Sequence, residues 1–329
     1  MSFATVIVTY GTTNRLSGLI RTIESTIIAG SEKVYLVNNG CQYDVHSTVQ
    51  DEFKDIELEV IDFSKNSGSS KGFSAGVKAA LDDLVLSDDR YVLILDDDVI
   101  LDKDLKKEFI KVENTIESQS KHIWSLTREG RDHTFSEVSD RNINYYNNSI
   151  AGFSVFNTKA GTLDERTRDD IARPFFIPWA GTLIRKDVLR KIELPKPDYF
   201  VYEDDADFSL NIRESGYDIY KSERLILRES SNSWFENNGG QQSGYKLYYN
   251  YETNPGRFLY KIRNNTYLIK NRLLTNKFYF YCNIVIFITL GFFRYGILKK
   301  HSIVRLKMLF NAVRDGLRAR LGENNNWKL

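Results

Sequence analysis

The sequence predicts an α/β protein built on a mostly parallel sheet of the nucleotide-binding kind, and three observations carry that expectation. Apolar runs that read as strands buried on both faces, within residues 3–9 and again in Tyr91-Val92-Leu93-Ile94-Leu95, alternate with stretches of helical periodicity. The second run ends in Asp96-Asp97-Asp98, three carboxylates at a strand exit, which is where open α/β sheets bind their ligands. A Gly/Ser-rich segment, Asn66 to Gly76, leads from a strand into a helix, so backbone can approach an anion there.

The elements follow in order. Arg15 to Ala29 reads as a helix with Leu16, Leu19, Ile20, Ile23 and Ile27 on its apolar face. Val34 to Val37 is a strand closed by the turn signal Asn38-Asn39-Gly40, and Leu58 to Phe63 is the third strand. A helix over Val77 to Leu84 precedes the fourth strand, Tyr91 to Leu95. Residues 120–175 are polar and irregular, with a pair of strands expected near Asn144–Tyr146 and Ser154–Asn157. Order resumes at Trp179 to Ile184, followed by a short helix over Lys186 to Lys191. Asp204 to Ser215 forms a helix stopped by Gly216, and Asp218 to Leu227 a strand. From Tyr260 the pattern is helical to about Leu321, and Gly322 begins a loose end.

Composition is that of an ordinary globular protein, 42% hydrophobic and 27% charged over 329 residues. Cys41 and Cys282 offer neither a disulfide framework nor metal-site spacing, which points to a reducing cytosol. The N-terminus runs directly into a strand pattern, so no signal peptide is expected. The net charge of +1 conceals an asymmetry: from Arg257 onward there are 15 Lys/Arg and two Asp/Glu, leaving 30 basic and 42 acidic residues before it. Such a basic tail suits an anionic partner. Phe278, Tyr279, Phe280 and Tyr281 cluster with Ile and Leu rather than alternating with basic residues, which favours a lipid surface and argues against nucleic acid.

Two acidic groups carry the chemistry. Carboxylates two residues apart at a strand exit, as in Asp96 and Asp98, suit a hard divalent cation that also holds phosphate oxygens. About a hundred residues later comes Glu203-Asp204-Asp205-Ala206-Asp207. One acid can cap the helix, but four in five positions repel one another, and one of them suits a general base. At a helix N-terminus its pKa is expected to be low.

The ordered set Val6-Ile7-Val8-Thr9-Tyr10, Val37-Asn38-Asn39-Gly40, Asn66 to Gly76, Asp96-Asp97-Asp98, Trp179-Ala180-Gly181-Thr182-Leu183 and Glu203 to Asp207 resembles inverting family 2 glycosyltransferases of the GT-A fold. The resemblance covers roughly residues 3–235 and is nearest to bacterial galactofuranosyltransferases, with rhamnosyltransferases close behind. It implies a catalytic domain over 1–255, with nucleotide-sugar binding in 1–100 and the acceptor and catalytic part in 101–255, and a basic helical region over 256–329. It implies roles residue by residue. Thr9, Tyr10, Asn38, Asn39, Asp62, Asn66 and Lys71 would surround the nucleotide of a UDP-sugar. Asp96 and Asp98 would hold Mn2+ or Mg2+, with Asp96 and Asp97 also touching the donor. Trp179, Ala180, Gly181 and Asp204 would shape the sugar and acceptor pocket, and Asp205 would be the catalytic base. The implied reaction moves galactofuranose from UDP-galactofuranose to a lipid-linked glycan in O-antigen, capsule or similar surface polysaccharide synthesis, with dTDP-rhamnose as the alternative donor. A non-catalytic sugar-nucleotide-binding protein is the rival of another class.

One departure stands out. Galactofuranosyltransferases place a metal-binding His after the base-bearing helix, and none of His46, His122, His133 and His301 lies there. Glu229 falls near that position as a third oxygen ligand, and Arg228 beside it is the alternative, neutralising diphosphate charge. His122 and His133 read as structural or solvated, and Arg263-Asn264-Asn265-Thr266 as a structural element. Phe278 to Phe293 is uncharged but spans only about 24 Å as a helix, short of a bilayer core, so an interfacial or core helix is expected rather than a span. The expectation is therefore a cytoplasmic protein held peripherally on the inner face of the membrane, with homo-oligomerisation left open.

Overall fold

Four parallel strands bring the chemistry-bearing segments to one edge. In the computed structural model, which describes residues 2–54, 56–116, 121–130, 132, 143–156, 171–230, 245–250 and 254–328, β1 (Phe3–Thr9), β2 (Ser31–Asn39), β3 (Glu57–Phe63) and β4 (Tyr91–Asp96) lie in the order β3-β2-β1-β4. Helices α1 (Leu16–Ile28), α2 (Val45–Glu52) and α3 (Ser69–Asp82) make the crossovers. Register pairs Thr9 with Asn38, Asn38 with Asp62 and Val8 with Asp96, so the carboxyl ends of all four strands are level. The chain order reverses at β1, and a crevice for ligands opens there.

The rest of the sheet is mixed. β8 (Thr182–Arg185) runs antiparallel to β4 and to β6 (His122–Arg128), which pairs in parallel with the long β9 (Asp218–Glu229). β5 (Val99–Leu101) and β7 (Ile171–Ala172) both pair with β9. Helix α4 (Leu105–Glu113) covers this half, and α6 (Lys186–Leu189) follows β8 directly. His122 stacks on Tyr220 and bonds to Glu113, in keeping with a structural role. His133 lies outside the described residues.

The strand pair expected near residues 144–157 is not formed. Ile143–Tyr146 is a helical turn, α5, and Ile150 and Phe153 make only an isolated bridge; Asn157 lies outside the described residues. Buried side-chain amides take the backbone groups that a ladder would need. Asn265 Oδ1 accepts from Ala151 N, and Asn283 Oδ1 from Val155 N.

After α7 (Asp204–Glu214), β9 and α8 (Tyr245–Tyr248), three helices complete the chain: α9 (Gly256–Arg272), α10 (Lys277–Tyr295) and α11 (Ser302–Leu317). Two apolar clusters cover the two sheet faces. The third joins the α9–α11 helices to Ile150, Tyr199, Phe200, Ala206 and Leu210, so the helical region shares its core with the segment bearing the acidic run. Tyr248 and Tyr249 are buried in that cluster, as loop-packing residues.

Candidate active site

A pocket opens at the carboxyl ends of β1 and β4, lined among others by Tyr10, Arg15, Asn66, Ser69, Asp96 and Arg257. Gly68 supports it from the rim at φ +86°, where a Cβ would run into the carbonyl of Phe200. Asn39 lines the pocket but is buried and engaged: its amide donates to Gly68 O at 3.1 Å and accepts from Ser67 N at 2.9 Å, fastening the Gly/Ser segment to β2. Asn38 and Asp62 bond to each other at 2.8 Å beside His46 on the exposed rim. Lys71 is exposed on the first turn of α3 and does not line this pocket. Thr9 is buried behind Asp97, donating to it at 2.7 Å.

The three strand-end carboxylates diverge. Asp97 turns inward to Thr9 and to an ion pair with Arg15, while Asp96 accepts from Arg128 at 2.9 Å. Asp98 lies on the turn into β5, and burial together with Asp96 and Asp97 pushes its carboxyl up to about 7. That concentration of like charge is where Asp96 and Asp98 would hold a divalent cation. Glu229 instead pairs with the buried Arg128 at 3.2 Å, and no group of three or more metal-binding side chains forms among the described residues, so a third protein ligand is not supported. Arg228 alternates to the other side of β9, where it is held by Glu129 and Asp102, away from the pocket. Among the described residues Arg15 and Arg257 line this pocket, Lys261 lines the cleft beside Asp205, and Arg128 is buried behind Asp96.

The acidic run sorts itself by hydrogen bonding. Glu203 accepts from Asn265 at 2.9 Å. Asp204 accepts from Trp179 Nε1 at 2.9 Å and Ser69 Oγ at 2.8 Å, so it locks the indole, itself stacked between Phe73 and Phe208, against α3. Asp207 pairs with Arg272 at 2.6 Å. Asp205 accepts only from the Ala206 amide, at 2.8 Å, and no side chain donates to it among the described residues. It remains partly open to a cleft of about 520 Å3 lined also by Tyr145, Tyr146, Glu203, Lys261 and Asn265. Ala180 and Gly181 are buried at the start of β8, with Gly181 bridging Ile94 O and Leu126 N; they shape the floor through the sheet rather than by lining either pocket.

A strained segment delivers Asp205. Phe200, at φ +65° and ψ −68°, is the centre of a γ-turn of the rare positive-φ hand, with Val201 N bonded to Tyr199 O at 2.8 Å. Tyr202 and Glu203 also have φ of +67°. Non-glycine residues in this region cost on the order of 1–3 kcal/mol each, so the surroundings must impose them. Buried Asn264 does so: three carbonyls, of Tyr199, Val201 and Tyr202, converge on its Nδ2 at 2.8–3.0 Å. Arg263 adds a bond to Gly322 O at 2.8 Å, tying the segment after α11 to the same place.

The model of glycosyltransferase-like family 2 matches residues 2–237. The chain belongs to that family. Its fold is shared with solved structures of TarS from S. aureus: one has a TM-score of 0.52 at 13% identity, covering 97% of this chain and 49% of that one. A second, TarS 1-349 in complex with UDP-GlcNAc, has a TM-score of 0.51 at 14% identity, covering 97% and 81%. The chain thus spans about half the length of the first of these structures, and identities this low establish the GT-A fold alone. No curated protein sequence matches it.

Burial decides the protonation of the acidic run in this family 2 chain, against the expectation of a low pKa from the helix N-terminus. Desolvation, then the charges of Glu203 and Asp96, raise Asp205 to about 6, and desolvation with Asp205 raises Asp204 to about 7. These carboxyls bind more protons folded than unfolded between pH 4 and 7, so their contribution to stability falls as pH rises through that window. The thermal midpoint of the glycosyltransferase should therefore rise as buffer is lowered from pH 8 to 5, and Asp204→Asn should flatten that slope. A midpoint that falls over the same interval would contradict the assignment. Arg15, Arg128, Arg257 and Asn264 carry no periodic signature in the sequence. Arg128 is the last residue of β6 and Arg15 lies six residues beyond β1, whereas Asn264 falls in the Arg263-Asn264-Asn265-Thr266 element read from the sequence as structural.

Proposed function

We propose that this glycosyltransferase is an inverting, metal-assisted enzyme that transfers galactofuranose from UDP-galactofuranose to a lipid-linked glycan in surface polysaccharide synthesis. The observation that carries the reading is Asp205: it is the member of the acidic run whose carboxylate lacks a side-chain donor, and it faces a cleft while feeling the charge of Asp96. The acceptor hydroxyl, seated in the Tyr145–Tyr146 cleft, gives its proton to Asp205 Oδ as its oxygen bonds to the anomeric carbon. The bond from that carbon to the UDP diphosphate breaks on the opposite face, and configuration inverts in one displacement. Arg15 and Arg257 hold positive charge at the nucleotide pocket, where the diphosphate leaves. Asp96 and Asp98 would hold a divalent cation, which would add Lewis-acid neutralisation of the leaving diphosphate. The structure of TarS 1-349 with UDP-GlcNAc supports a UDP-sugar as the donor class. Free cysteines and the basic helical region support a cytoplasmic enzyme at the inner face of the cell membrane.

Incubation with UDP-galactofuranose, dTDP-rhamnose and UDP-GlcNAc, each with a glycolipid acceptor extract, tests the reading. Product from UDP-galactofuranose with inverted anomeric configuration supports it; product only from another donor replaces the sugar assignment, and no product from any donor overturns the enzyme reading. EDTA should abolish transfer and Mn2+ or Mg2+ restore it, with Asp98→Ala folded yet unresponsive to added metal. Undiminished transfer in EDTA would leave Arg15 and Arg257 as the neutralising charges.

A further inference from the structure

α10 exposes an apolar face that the fold leaves uncovered. Phe278, Val285 and Phe293 are 68%, 59% and 63% exposed, and Tyr281 and Leu290 lie beside them. Thr289 is the exposed polar side chain on this face, and its hydroxyl is satisfied within the helix by Val285 O at 2.8 Å. The surface continues through Leu298, which is 94% exposed, onto Ile303 and Val304 of α11. Isolated exposed apolar residues are ordinary, but a contiguous patch of this extent marks an interaction surface.

Charge identifies the occupant. Lys277, Arg294, Lys299, Lys300 and Lys307 are exposed around the apolar row, and no Asp or Glu occurs from Lys277 to Arg314. An apolar row rimmed by lysine and arginine is complementary to acyl chains beneath anionic headgroups. A second copy of the same face would set like charges against each other. By length and composition α10 could cross a membrane, but its other face is fastened to the fold. Asn283 is fully buried, donating to Asn148 O at 2.9 Å and Ser154 Oγ at 3.0 Å and accepting from Val155 N at 3.0 Å. Those bonds hold the helix on the protein, so it can enter only the interface, lying in the membrane plane.

The same bonds connect the patch to the cleft at Asp205. Residues 143–156 carry Tyr145, Tyr146, Ala151 and Gly152 in the cleft wall, then Val155 and Phe156 at the surface, where Phe156 stacks on Tyr279 at 4.3 Å. We propose that α10, the turn after it and the start of α11 form a docking surface for an anionic bilayer, which brings the Asp205 cleft to lipid-borne acceptors. The second half of this statement rests on the proposed acceptor reading; the first does not.

Flotation of the full chain with phosphatidylcholine vesicles, with and without phosphatidylglycerol, tests it. Binding should require phosphatidylglycerol and weaken between about 0.1 and 0.5 M salt. Phe278→Asp with Phe293→Asp, and separately Lys299→Glu with Lys300→Glu, should each lower partitioning by about tenfold or more. Both pairs are exposed, so a thermal melt should match the parent, and transfer to a short soluble acceptor should be unchanged while transfer to acceptor in vesicles falls. Failure of soluble transfer in the parent would overturn the acceptor reading without touching vesicle binding. Equal recovery with both vesicle types, no binding to either, or a dimer in light scattering that Phe293→Asp dissolves would overturn the bilayer surface, the last in favour of a second copy.

Discussion

Asp205→Asn should slow sugar transfer by about 10²–10⁴-fold while leaving UDP affinity unchanged. The substitution is close to isosteric, its Oδ1 can still accept from Ala206 N, and removing a buried charge should not weaken the fold. It removes the lone pair that accepts the acceptor proton. The neighbours should respond differently because their carboxylates are committed to side chains. Asp204→Asn keeps one oxygen for Trp179 and Ser69, and should lose donor positioning rather than the proton-accepting step. Asp207→Asn breaks the pair with Arg272 and should act mainly on stability. In the parent, kcat/KM should fall as pH drops below about 6, where Asp205 takes up a proton. Near-normal transfer by Asp205→Asn, with transfer lost in Asp204→Asn, would move the base to Asp204.

Asn264→Leu should destabilise the protein by about 2–4 kcal/mol and cut transfer more than it cuts UDP binding. Leucine fills nearly the same volume, so the loss is of hydrogen bonding. The carbonyls of Val201 and Tyr202 would lose the Asn264 donor in a partly buried setting, Tyr199 O would keep only its bonds from Val201 N and Arg263, and the positive-φ residues from Phe200 to Glu203 would be free to relax. Because Asp205 follows this segment, relaxation changes its aim at the acceptor and should appear in kcat. Urea unfolding and steady-state kinetics at a temperature where the variant remains folded separate the two effects. A variant with parental kcat after correction for folded fraction would reduce Asn264 to a purely structural role.

The parallel half of the sheet was readable because each strand is a local apolar run and each exit carries its own polar signal, as at Asn38-Asn39-Gly40 and Asp96-Asp97-Asp98. The acidic run at Glu203–Asp207 was equally plain. Its electrostatics were not: a helix N-terminus favours ionised acids, but desolvation by α9 and the neighbouring carboxylates outweighs it, and nothing local announces that burial. Arg257 reaches Tyr10 across 247 residues and Asn264 reaches Tyr202 across 62, separations at which no spacing rule operates. Residues 143–146 were misread because Asn265 and Asn283, from helices far along the chain, satisfy the neighbouring backbone instead of a partner strand. Arg228 and Glu229 were judged by nearness in sequence, which on a strand places successive side chains on opposite faces.

Arg257 bonded to Tyr10 in the pocket at β1, Asn264 beneath the acidic run and Trp327 packed on Tyr260 together set an order of events during synthesis. On the ribosome, at about 5–20 residues per second, β1 to β4 emerge and can pair long before α9 does. Until α9 and the segment from Gly322 to Trp327 follow, Tyr199 to Glu203 has no reason to hold its positive-φ path, and Asp205 has no fixed position. The pocket at Tyr10 and the cleft at Asp205 are thus completed only when α9 and the segment to Trp327 have joined the strands made before them. A nascent chain stalled before Gly256 should give protease a ready cut between Phe200 and Glu203, a site that closes once α9 and the segment to Trp327 have been made.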